Sequence, residues 1–159
     1  MSSNITTLGK AVRDLLNGNQ GSDGFSQDFD AVFAYSPQYK IPDTATLSVI
    51  VTDAGGEIEV ATKRHFAYDD AIRIIFLFKV LDESGTGTDD DLVDQVLVLV
   101  DEVVKYLMRR PAAGYSHTGA IVRGDGEKDK QHYYPGNLAE SVFASQLTLT
   151  YRKTVKELG

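Results

Sequence analysis

At 159 residues the chain is long enough for one domain that buries most of its apolar surface, and 42% apolar with 25% charged residues is ordinary globular usage, which excludes wholesale disorder. Sixteen Lys and Arg against twenty-three Asp and Glu leave a net charge of −7, so the average surface repels nucleic acid phosphates rather than displacing their counterions. With no cysteine, disulfides, thiolate metal sites and a thiol nucleophile are excluded.

Ile5, Leu8, Ala11, Val12, Leu15 and Leu16 recur at helical spacing, with Ser3 or Asn4 as N-cap and Gly18 as stop, and predict a short N-terminal helix over residues 1–17. The same segment carries neither a basic start nor an apolar run of signal-peptide length, and no stretch of the chain is apolar for long enough to span a bilayer, so no membrane partner is expected. Residues 18–27 are Gly, Asn, Gln, Ser and Asp around one Phe and read as a flexible connection to a body over 28–159, the whole forming a single domain.

From Phe29 the pattern alternates through Ala31, Phe33 and Tyr35 until Pro37, which predicts a first strand. Ala45, Leu47, Val49 and Val51 share one face of a strand over 44–52. Asp53-Ala54-Gly55-Gly56 reads as a hairpin turn, with Ile58 and Val60 on a return strand over 57–62. A long strand over 70–81 follows, apolar at Ile72, Ile74, Phe76, Phe78 and Val80 on one face and at Ile75 and Leu77 on the other. A strand with two apolar faces needs cover on both, which the N-terminal helix or a neighbouring subunit would supply.

Residues 89–110 predict a long helix: Leu92, Val93, Val96, Leu97, Val100, Val103, Val104, Leu107 and Met108 repeat with helical period, opposite Asp94, Gln95, Asp101, Glu102 and Lys105. Asp89, Asp90 and Asp91 complement its positive N-terminal end, and Arg109 and Arg110 its negative end, before Pro111 stops it. Val98 lies within the polar arc, between Gln95 and Glu102, and with Tyr106 marks a candidate contact patch. Strands over 115–123 and 139–155 close the chain, separated by a polar loop over 124–136. The fold class expected is α+β, a mostly antiparallel sheet with one long packed helix and a short N-terminal helix.

No catalytic motif survives close reading. Gly85-Thr86-Gly87-Thr88 precedes a helix as a phosphate cradle would, but lacks the third glycine and the lysine and runs into three aspartates. Asp82, Glu83 and the three aspartates lack the alternating spacing of a calcium loop. His65, His117 and His132 show no metal-ligand spacing, and no Gly-x-Ser-x-Gly elbow occurs. Neither cofactor nor metal nor enzyme activity is expected. The partner-contact residues to which the sequence points are Ile75, Leu77, Val98 and Tyr106, together with Arg123, Lys128, Lys130, Tyr133 and Tyr134, where cations and aromatics share one loop beside His132.

The order of these elements and the closing strand, reading Phe143-Ala144-Ser145-Gln146-Leu147-Thr148-Leu149-Thr150-Tyr151-Arg152, resemble tail terminator and tail-completion proteins of long-tailed bacteriophages. The resemblance covers most of the chain. It implies a structural virion protein made in the host cytoplasm, a homo-oligomeric ring, commonly a hexamer. Such a ring caps the tail tube and meets neck or head-completion proteins, while DNA passes its lumen without sequence-specific binding. The alternatives are another neck or head-completion protein of similar fold, and a small module that binds a peptide or ligand.

Overall fold

The computed structural model describes residues 3–35, 47–79, 90–123 and 142–156. The order is α1 (Asn4–Asn17), β1 (Ala31–Phe33), β2 (Ser48–Thr62), β3 (His65–Lys79), α2 (Asp90–Met108), β4 (Ser116–Arg123) and β5 (Val142–Lys156). The five strands form one sheet in the order β1-β2-β3-β5-β4. The fold is α+β, but the sheet is mixed. β2 with β3, β3 with β5 and β4 with β5 run antiparallel, whereas β1 lies parallel to β2. A parallel pair needs a long return connection, which residues 34–47 supply.

Helix α1 starts where the Ser3 hydroxyl accepts from the Thr6 amide at 3.3 Å, and ends at Gly18, whose N–H still donates to Asp14. Its buried face, Leu8, Val12 and Leu16, joins the core formed by Ile72, Ile74 and Phe76 of β3. Gly9 lets the helix approach β1, since a Cβ there would overlap the Phe33 ring. The polar connection is pinned. Asn17 exchanges two hydrogen bonds with the Ala31 backbone, at 2.7 and 3.0 Å, and Gln20 accepts from the Phe29 amide at 2.8 Å. Phe25 is buried, stacked on Phe29 and edge-on to Tyr106.

The long helix is where the periodicity places it. Val93, Val96, Leu99, Val100, Val103 and Leu107 are buried against the same sheet face as α1. Both helices therefore cover one face, forming two layers. The N-terminal helix does not cover the second apolar side of β3, which corrects that expectation. On that side Ile75 and Leu77 are buried in a small cluster with Ala144, flanked by half-buried Ile50.

The expected hairpin at residues 53–56 is a second correction. β2 runs straight through it, paired with β3 on both sides, and Asp53 opposes Ile72 while Gly56 opposes Asp70. One extra residue on β2 makes a bulge there, with Gly55 at φ 102°. A glycine pair serves a bulge as readily as a turn. The chain reverses at Thr62-Lys63-Arg64-His65, where the Thr62 hydroxyl accepts from the Arg64 amide at 3.3 Å and neither central residue needs a positive φ. Between α2 and β4 the reversal also has two central residues, and there Ala113 (φ 49°) and Gly114 (φ 80°) both take the left-handed conformation.

Candidate interaction surface

Past the bulge, β2, β3 and β5 continue together as a three-stranded extension. Glu57 to Thr62 pair with His65 to Asp69, which pair in turn with Arg152 to Lys156. Because side chains alternate, the extension has two unlike faces. On the side that continues the helix-covered face stand Ile58, Val60, Phe66, Tyr68 and Val155, with Lys153. On the other stand Glu57, Glu59, Asp69 and Arg152, where the Arg152 guanidinium pairs with Glu59 and lies 3.8 Å from Asp69. Arg152 thus ties together two of the three acids of that polar face.

On the apolar side, Ile58 is 65% exposed and Val60 69% exposed, on adjoining positions of one strand face, whereas Val51 and Ile72 on the same face before the bulge are fully buried. The first turn of α1 reaches only its root, where Ile5, Ile58 and Tyr68 line an open hollow of about 370 Å³. Beyond Asp70, the only charge on this face among the described residues is Lys153. Lys63 and Arg64 stand exposed at the tip, and Lys156 lies on the polar face next to it. The described acids of the extension, Glu57, Glu59 and Asp69, point the other way. The result is an apolar patch with a basic border.

At the root, Asp70 accepts a hydrogen bond from the Tyr115 hydroxyl at 2.5 Å, and the Lys153 ammonium lies 5.5 Å from the Tyr115 ring centre. Burial, then the Asp70 contact, push the Tyr115 hydroxyl far above the ordinary tyrosine range. Burial alone does the same to Tyr151 and lowers the pKa of His117, whose ring meets Tyr151 edge-on at 5.6 Å. The Tyr151 hydroxyl and His117 Nε2 are both buried without a hydrogen-bond partner. The other described histidine, His65, bonds the Thr62 hydroxyl at 2.8 Å. Neither histidine hydrogen-bonds a carboxylate. Among the described residues no cluster of His, Asp or Glu could hold a metal ion, and no helix is long and apolar enough to cross a membrane.

Of the contact residues expected from sequence, Val98 is 47% exposed on the outer face of α2, flanked by exposed Asp94, Gln95 and Asp101. Tyr106 is half-buried and engaged within the chain, with the Arg110 guanidinium 3.7 Å above its ring. Ile75 and Leu77 are buried, as described above. Arg123 pairs through its backbone with Gln146 at the end of β4. Lys128, Lys130, His132, Tyr133 and Tyr134 lie outside the described residues, as do Asp89 and the 82–88 segment. The extension itself escaped the sequence reading, although Ile58 and Val60 were legible as an apolar pair. Their exposure depends on the missing turn at 53–56, which would have folded them back over the core.

The outer edge of β1 is not open for pairing at its start, because Asn17 and Gln20 occupy the backbone groups of Ala31 and Phe29. Beside it lies an open hollow of about 650 Å³, lined by Val32, Leu47, Ile50 and Leu77 together with Asp28 and Asp30. The chain matches no protein-family model, and no curated protein matches it.

Proposed function

We propose that this chain is a structural virion protein, a tail terminator whose ring caps the tail tube of a long-tailed bacteriophage and joins it to the head. The observation that supports this reading is the three-stranded extension. Two large apolar side chains stand in solvent on an arm whose opposite face is polar, with Arg152 paired to Glu59 and Asp69. Such a patch is best relieved by a protein partner, and a ring of identical subunits provides one at every position. The order of elements, a short helix, paired strands, one long packed helix and a closing strand, is the second support. With the net charge of −7, a lumen formed by such subunits would let DNA slide without sequence-specific contacts.

Native mass spectrometry at micromolar concentration tests the reading directly. A closed oligomer, with six copies the expected size, and electron micrographs of tail tubes capped after its addition are the outcomes this function requires. A strict monomer that leaves the tubes uncapped would overturn it. Capping of filled heads instead of tubes would move the protein to the head side of the joint.

A further inference from the structure

The extension with its basic border and the outer face of α2 are unlike surfaces of one chain, and they complement each other. The first has Ile58 and Val60 at its centre, Lys63 and Arg64 at its tip, and, among the described residues, no acid on its apolar side beyond Asp70. On the second, Val98 is the apolar centre. Helical spacing sets Asp94 one turn before it and Asp101 one turn after it, both exposed and with no ion pair among the described residues. Within one molecule they do not meet, since Val98 stands on the side of α2 away from the sheet while the extension leaves the sheet beyond the helices.

We infer that the extension of one copy docks on the outer face of α2 of the next, apolar centre against Val98 and Lys63 and Arg64 against Asp94 and Asp101. This contact deepens the ring reading and rests on it. Extension against extension with the two tips side by side would also cover Ile58 and Val60, but it would bring like charges together, which disfavours that two-fold contact. Unlike surfaces joined head to tail leave one of each free on every new copy, so assembly continues until the rotation closes into a ring. Oppositely charged rims around small apolar centres set orientation and exclude the wrong partner.

Charge reversal tests this on the full chain. K63E/R64E and D94K/D101K change exposed residues only, and circular dichroism with the thermal midpoint confirms that each folds. Each variant alone is expected to weaken assembly by roughly ten- to a hundredfold in dissociation constant. Mixing the two is expected to restore it, because reversed tip then meets reversed helix and native tip meets native helix. An uncharged variant, I58S/V60S, is expected to dissociate as well, independently of charge. If the wild-type oligomer persists in both charge variants, or if mixing restores nothing, the contact lies elsewhere and the inference falls while the ring reading stands. A wild-type chain that stays monomeric overturns both.

Discussion

At the scale of single residues, burial at the root of the extension carries a measurable consequence. His117 is partly buried and its ring nitrogen Nε2 has no partner, so the folded chain disfavours the charged imidazolium and the pKa falls below its ordinary value of 6.5. The unfolded chain then takes up the proton first as the pH drops. Stability is therefore fully present above about pH 6.5 and declines as the pH falls from there toward the lowered folded pKa. Urea midpoints followed across that window are expected to show the decline, and a His117→Phe variant is expected to flatten it. A slope unchanged in the variant would assign the titration to another group. Tyr115 and Tyr151 act with the opposite orientation. Their hydroxyls are held protonated, so the stability they contribute is lost only as the pH rises above about 10.

At the scale of elements, α2 separates the side chains that hold the fold from those that face outward. Leu99 is fully buried and Val98, its neighbour, is half exposed. Leu99→Ala is expected to lower the unfolding free energy by about 2–5 kcal/mol, while Val98→Ala stays within roughly 0.5 kcal/mol, both read from denaturant titrations at concentrations low enough to keep the chain monomeric. Equal losses would mean that the helix is rotated from its described orientation. Both helices were legible in sequence because their period of 3.6 and their end signals, Ser3 before α1 and Pro111 after α2, agree with each other. Leu99 was missed because it falls within an unbroken run of apolar residues from Val96 to Val100, where a period is hard to resolve. β2 was misread for a related reason. Gly55-Gly56 is the strongest local turn signal in the chain, and the reversal at Lys63-Arg64 carries none, because no positive φ is needed there.

At the scale of the whole molecule, the chain is strongly acidic, yet Lys63 and Arg64 stand exposed at the tip of the extension while Asp94 and Asp101 stand exposed on the outer face of α2. An assembly joined through those surfaces should weaken as salt rises. Sedimentation velocity between about 0.05 M and 0.5 M salt is expected to shift the population toward monomer, since the Debye length contracts several-fold over that range. An oligomer that tightens with salt would instead point to a contact dominated by apolar burial. The sequence by itself determined the α+β class, the two helices with their caps, and the apolar character of the alternating strands, because these follow from periodicity and end chemistry within a few residues. Only the tertiary structure decided that β1 runs parallel, that both helices share one face, and that Ile58 and Val60 stand in solvent. Each of those depends on which distant backbone a strand finds as partner. The fifteen residues of β3 settled it, by offering β2 a partner along almost its whole length and carrying it past the glycines that locally read as a turn.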